Sequence, residues 1–147
     1  MRNRVAVLHG VNLGALDRRP AQHYGGLTFT RLEQTVDGYA HELGLTVRFF
    51  QSDHEGEYVQ ELHKAADYAD ALLLNPGAWT HYAWAIRDAL EISGLPAVEV
   101  HLSDVGMRER FRRESVVRDL CLATITGRGV EGYRTGLARL HEALAAA

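Results

Sequence analysis

Cysteine occurs once among the 147 residues, tryptophan twice and proline three times. One thiol cannot build an internal disulfide framework, so the expected setting is a reducing cytoplasm. Cys121 lies in the apolar run "LCLATI" and is expected to act as a small buried hydrophobe. No run approaches the ~20 apolar residues of a membrane span. The apolar part of "MRNRVAVLHG" is also too short for a signal peptide, so no membrane partner is expected. Positive charge is not in excess either. A net charge of −3 gives no electrostatic ground for a nucleic-acid partner. Metal motifs are missing: there is no HExxH, no CxxC and no histidine pair at helical spacing, despite eight histidines and the cluster "QSDHEGE". Repeats and linkers are absent too. What remains is 46% hydrophobic and 24% charged, an ordinary globular balance. It suits a single domain over residues 1–147 that buries roughly 70% of its unfolded surface.

Short apolar runs alternate with segments of helical period. The strand candidates are "VAVL" (5–8), "TVRFF" (46–50), "ALLLN" (71–75), "PAVEV" (96–100) and "LATIT" (122–126). Between the first two, Leu32, Val36, Tyr39, Ala40 and Leu43 share a helical face, Thr30 and Glu33 have capping-box spacing, and Gly44 is a natural stop. A helix over 57–68 places Val59, Leu62, Ala66 and Ala69 together; others are expected over 80–93, 105–114 and 130–147. The pattern predicts an α/β fold, a doubly wound five-stranded parallel sheet of flavodoxin-like type in three αβα layers. Ligands of such sheets bind beyond the carboxyl ends of the strands. That directs attention to residues 9–27, 51–56, 75–81, 101–107 and 127–131.

Those segments hold the groups that can do chemistry. The loop "NLGALDRRPAQHYGG" (12–26) carries Asn12, Arg19, His23 and Tyr24, and "NPGAWTH" carries Asn75 and His81. In "VEVHLSD", Glu99, His101 and Ser103 alternate and so share a face; Arg108 and Arg112 follow at helical spacing. An asparagine after a strand is ordinarily a turn residue, and an arginine pair ordinarily a solvated face. Glu99 and His101 are harder to dismiss, because a charged residue within an apolar strand needs a partner. A carboxylate orienting an imidazole suits a general acid. Tyr24 is the more unusual candidate. A phenol is a poor base at neutral pH unless nearby positive charge stabilises its anion, and Arg19 or Arg108 could supply it. A tyrosinate base suits removal of a proton next to a ketone. "GRGVEG" (127–132) matches G-x-G-x-x-G but lies in the last strand-to-helix turn, where no further strand can supply the acidic residue that a dinucleotide site needs.

From "VAVLHGVNLG" to "GYRTGLARL" the chain resembles the type II 3-dehydroquinate dehydratases. The match is most specific in "QSDHEGE", "NPGAWTHYAWAIRDAL", "VEVHLSDVGMRERFRRESV" and the "YGG" of the first loop. The resemblance implies a flavodoxin-like lyase of the shikimate and chorismate pathway that converts 3-dehydroquinate to 3-dehydroshikimate through an enolate. It implies no cofactor, no metal and a homododecamer built of trimers. By resemblance, Tyr24 is the base, Arg19 and Arg108 favour its ionised form, Asn12 stabilises the enolate, and His101, oriented by Glu99, is the acid. Asn75, His81 and Arg112 would hold ring hydroxyls, Ser103 and the Leu102 backbone the carboxylate, and Asp88 would reach a neighbouring subunit's site. Residues 12–26 would form a lid. Departures cluster there: Val11 where the family has proline, Asp17 where glycine is common, and Arg19-Pro20-Ala21 for Arg-Glu-Pro; Asp104 replaces an asparagine further on. Pro20 biases Arg19 toward an extended backbone. The alternatives are a paralogue acting on a related polyhydroxy cyclic acid, and a non-catalytic flavodoxin-like binding module.

Overall fold

Unbroken apolar runs are stable as strands only where both faces are covered. The computed structural model, which describes residues 1–147, covers them with helices. Five parallel strands, β1 (Arg4–His9), β2 (Thr46–Gln51), β3 (Ala71–Asn75), β4 (Ala97–Val100) and β5 (Ala123–Ile125), form one sheet in the order β2-β1-β3-β4-β5. Five helices accompany them: α1 (Ala21–Tyr24), α2 (Phe29–Glu42), α3 (Glu55–Ala65), α4 (Trp84–Ser93) and α5 (Glu131–Ala146). Leu32 and Val36 of α2 and Leu137 and Leu140 of α5 pack with Val5, Val7, Leu73 and Val98 on one face. Tyr58 and Leu62 of α3 and Ile86 and Leu90 of α4 pack with Ala6, Leu8, Leu72 and Leu74 on the other. Alternate residues of each central strand thus feed opposite cores, giving the expected three-layer flavodoxin-like fold. No helix is long and apolar enough to cross a membrane.

The chain passes from β1 to β2 on one side and returns to β3 on the other. The crevice of the fold therefore opens where the connections leaving the carboxyl ends of β1 and β3 diverge. Those ends are held very close. The Gly10 N–H donates to the Asn75 carbonyl at 2.8 Å, and a Cβ on Gly10 would stand 2.3 Å from the Pro76 carbonyl oxygen. Gly10→Ala is expected to wedge the two strand ends apart and cost ~2 kcal/mol or more. Denaturant titration reads this directly, and an unchanged midpoint at unchanged slope would contradict it.

Several local expectations need correction. α2 is capped by Thr28, whose Oγ1 accepts from the Arg31 N–H at 3.1 Å, because Phe29 is already helical and a box at Thr30 starts too late. α3 buries Tyr58, Leu62 and Ala65, with Ala69 beyond it, while Ala66 is exposed and Val59 only half-buried. The Tyr58 ring sets that rotation: it fills the core, and its hydroxyl donates to the Leu8 carbonyl at 2.9 Å. The expected helix over 80–93 begins only at Trp84, after a 3-10 turn over Gly77–His81. The charged stretch 105–114 is not one helix but two 3-10 turns, Val105–Met107 and Arg110–Arg113. They are separated at Arg108, whose backbone is extended (φ −107°, ψ −164°). The first loop contributes to the core: Leu13 and Leu16 are buried in a 3-10 segment, Leu13–Arg18. Cys121 is half-buried at the edge of the second core, where burial pushes its thiol up to about 12.

Candidate active site

Beyond β1 the chain turns sharply at Asn12, the sole non-glycine residue at positive φ (68°). The turn is clamped from β2. Asp53 Oδ1 accepts from the Asn12 N–H at 2.8 Å and from Gln51 Nε2 at 3.1 Å, and Gln51 Nε2 also donates to the Gly10 carbonyl at 3.2 Å. Asp53, read in sequence only as part of a weak metal cluster, therefore supports the backbone of a site residue.

Past the buried Leu16 the chain rises into Arg19 and α1. Arg19 has the extended backbone that Pro20 favours (φ −90°, ψ 155°). Its guanidinium donates to the Tyr24 hydroxyl oxygen at 2.8 Å. From the segment after β4, Arg108 donates to the same oxygen, also at 2.8 Å, and its Nη1 lies 3.4 Å from Ser103 Oγ. The extended backbone at Arg108 that breaks the expected helix is thus the point from which this side chain reaches Tyr24. Arg108 and Arg112 do not share a helix face, yet both line one cavity.

The strand pattern that aligned Glu99 with His101 persists one residue past β4, since the His101 N–H still donates to the Ile125 carbonyl at 2.9 Å. The Glu99 side chain is fully buried. It accepts from His101 Nε2 at 2.6 Å, Ser115 Oγ at 2.8 Å and Thr124 Oγ1 at 3.3 Å, and from Thr80 Oγ1. Burial alone would raise its carboxyl. The His101 hydrogen bond and charge, with the bonds from Thr80 and Ser115, outweigh burial and hold it below the usual carboxylate value. Because Nε2 is committed to Glu99, Nδ1 is the ring atom left for a ligand. Thr80, Ser115 and Thr124 carry no local signal for this role; they come from three segments that meet only in the fold.

Asn75 ends β3 and is buried, with Oδ1 accepting from the Gly77 N–H at 3.2 Å. Its Nδ2 donates to Tyr133 Oη at 2.9 Å, and Tyr133 Oη lies 2.9 Å from Nε2 of the fully buried His9. Burial pushes the His9 imidazole down to about 3, so it is neutral at ordinary pH. Tyr133 was not expected near the site, and His9, although it opens the segment 9–27, was not read as a site residue. The register offered a clue, since His9 sits directly beside Asn75 across the β1–β3 ladder.

His81 Nδ1 donates to the Glu114 carbonyl at 2.6 Å, which leaves Nε2 as an acceptor. Burial lowers His81, more than the Glu114 bond raises it, which favours the neutral ring. Arg112 pairs with Glu109. Asn12, Arg19, Tyr24, Asn75, His81, His101, Leu102, Ser103, Arg108 and Arg112 all line one cavity of about 120 Å³. A larger space of about 490 Å³ adjoins it, sharing Tyr24, Leu102, Ser103 and Arg108, so those side chains form the partition. The "GRGVEG" glycines shape a turn: Gly127 and Gly129 have positive φ, and their N–H groups donate to the Ser103 and Leu102 carbonyls at 3.0 and 3.1 Å. Asp88 is not brought to this cavity; it is exposed on α4. No three His, Cys, Asp or Glu side chains converge as a metal ion would require.

The family model described as Dehydroquinase class II matches residues 3–141. The 3-dehydroquinate dehydratase of Leptothrix cholodnii is 45% identical over 134 residues, spanning 90% of each chain. That of Pelotomaculum thermopropionicum is 45% identical over 134 residues, 91% of this chain and 93% of its own. The crystal structure of type II dehydroquinase from Propionibacterium acnes superposes with a TM-score of 0.89 at 42% identity, covering 97% of this chain and 98% of the other.

Proposed function

Because the chain belongs to the class II dehydroquinase family, we propose that it is a type II 3-dehydroquinate dehydratase. It is a hydro-lyase of the shikimate route to chorismate that eliminates water from 3-dehydroquinate to give 3-dehydroshikimate. The observation that carries this reading is the Tyr24 oxygen held at 2.8 Å by each of two guanidinium groups, in the cavity that also contains His101 on its Glu99 support. Two charge-assisted donors converge on the oxygen that would carry the negative charge of a phenolate base.

In the proposed reaction the Tyr24 phenolate takes the proton from C2. The electron pair of that C–H bond moves onto the neighbouring ketone oxygen as an enolate. Asn12 stabilises this oxygen, directly or through a bound water. Fixed donors aimed at developing charge are worth ~10²–10³ in rate. When the enolate collapses, the electrons form the ring double bond and the C1–oxygen bond breaks, with His101 supplying the proton that lets the hydroxyl leave as water. Glu99 complements the imidazolium that this step needs. Asn75, His81 and Arg112 hold ring hydroxyls; the neutral His81 has Nε2 free to accept one. Ser103 and the Leu102 backbone take the carboxylate.

The segment 12–26 acts as the lid of this single catalytic domain, excluding water as it closes. Two features support it: the segment carries both Arg19 and Tyr24, and its Tyr24 is one of the four side chains shared by the two cavities. We further assign the working enzyme to the cytoplasm, as a dodecamer of four trimers in which Asp88 serves a neighbouring copy. The exposed Tyr82, Trp84 and Ile92 around Asp88 support such contacts. The decisive experiment mixes purified protein with 3-dehydroquinate and follows the conjugated enone absorbance of the product. Growth of that band at catalytic protein concentration is expected. No band at high protein concentration, or a clear kcat/KM preference for another polyhydroxy cyclic acid, refutes the assignment.

A further inference from the structure

Hydrogen-bond accounting beneath the cavity fixes a direction that distances alone do not. Asn75 Oδ1 is occupied by the Gly77 N–H at 3.2 Å, so the amide nitrogen must be the atom facing Tyr133 at 2.9 Å. The Tyr133 oxygen therefore accepts from Asn75, and its own proton has one partner in reach, His9 Nε2 at 2.9 Å. A neutral His9 can accept there only if its proton sits on Nδ1, and that atom is buried without any partner. The ring is wedged edge-on against Phe29, with centroids 5.1 Å apart. His9 and Tyr133 have 0% relative exposure and Asn75 3%, so water does not compete for these bonds.

We infer that Tyr133 and His9 are positioning residues for substrate recognition, a one-way chain from Asn75 Nδ2 through the Tyr133 hydroxyl to His9 Nε2 that locks the Asn75 amide in a single orientation. An asparagine amide is nearly symmetric in shape but not in chemistry: turned over, it presents an acceptor where a donor is needed. The Gly77 N–H fixes the amide at one end and the chain fixes it at the other. One Asn75 N–H is used internally, and the remaining one is pointed by that choice toward the cavity that Asn75 lines. His9 supplies the terminal acceptor and takes no part in proton transfer to substrate. This inference rests on the proposal that Asn75 holds a ring hydroxyl.

A double-mutant cycle tests it, using the full-length enzyme and 3-dehydroquinate. Tyr133→Phe keeps the ring and removes the link. KM is expected to rise about tenfold with kcat changed less than about twofold, as lost ground-state positioning demands. In an Asn75→Ala background the same substitution is expected to change kcat/KM by less than about twofold, because the group it orients is gone. An equal loss in both backgrounds, or melting lowered with kinetics untouched, overturns the inference. If Tyr133→Phe does not fold, the far end of the chain reads the same link: His9→Gln, whose amide oxygen can replace Nε2 as acceptor, should keep KM near native while His9→Leu raises it. Equal KM for the two overturns it. Asn75→Ala alone separates the two claims. If it leaves kinetics unchanged, the role of Asn75 itself falls, and the inference with it. If it raises KM while Tyr133→Phe is silent, the inference alone falls.

Discussion

Replacing Tyr24 with phenylalanine is expected to lower kcat by ~10²–10⁴-fold, the range a general base contributes, with KM little changed. The hydroxyl is the sole difference between the two side chains, and it is the atom on which Arg19 and Arg108 converge. Without it the guanidinium groups lose their common acceptor but remain free to turn to solvent, because Tyr24 is only half-buried. The stability cost is therefore small, under about 1 kcal/mol. This separation matters for interpretation: a fold near native stability with turnover gone assigns the base. Enone absorbance gives kcat, and thermal melting gives the control. A variant that keeps more than about a tenth of native kcat would show that the base lies elsewhere.

Glu99 is expected to behave in the opposite way, with stability and activity falling together. Its carboxylate is the shared acceptor for His101, Thr80, Ser115 and Thr124. Glu99→Ala leaves those donors facing a void and is expected to cost ~3–5 kcal/mol, the usual penalty for removing one member of a buried charged pair. Glu99→Gln fills the space but turns an N–H toward groups that are themselves donors, so activity should drop on the order of 10²-fold through misorientation of His101. The acid side of the stability curve follows from the depressed carboxyl. Folding favours the ionised form, so the contribution is complete above the ordinary value of 4.5 and disappears as pH falls through the lower folded-state value. Melting temperatures measured from pH 7 to pH 3 should fall less steeply for Glu99→Gln than for the native protein. Parallel curves would rule out a buried, ionised Glu99.

The strands were legible almost to the residue because a covered parallel strand leaves an apolar run that nothing else explains; "ALLLN" and β3 coincide. Alternation placed Glu99 and His101 on one face correctly, since that geometry is local. Less was readable wherever tertiary packing chose among local options. The α3 face turned on whether Tyr58 or Val59 would fill the core, and the larger ring with a hydroxyl acceptor in Leu8 prevailed. The 105–114 stretch has strong helix formers, yet its backbone opens at Arg108, the residue whose side chain bonds Tyr24. Support for the site was least visible. Thr80, Ser115, Thr124, Asp53, His9 and Tyr133 reach it through bonds between segments, and no periodicity within one segment encodes such a bond. The resemblance named the residues facing the cavity and Glu99 behind His101; it did not name these other supports.

The turn at Asn12 places an unusual limit on how this protein can evolve. The position must satisfy a left-handed backbone, which most L residues resist, and in the proposed reaction it must also present an amide to the enolate. Glycine meets the first demand without the second, and aspartate offers the shape but no N–H. Glutamine has the amide but not the tolerance for that backbone. Asparagine alone answers both, so substitutions that selection would otherwise sample are closed off at residue 12. Its neighbour Val11, which packs against the second core, carries no such double obligation.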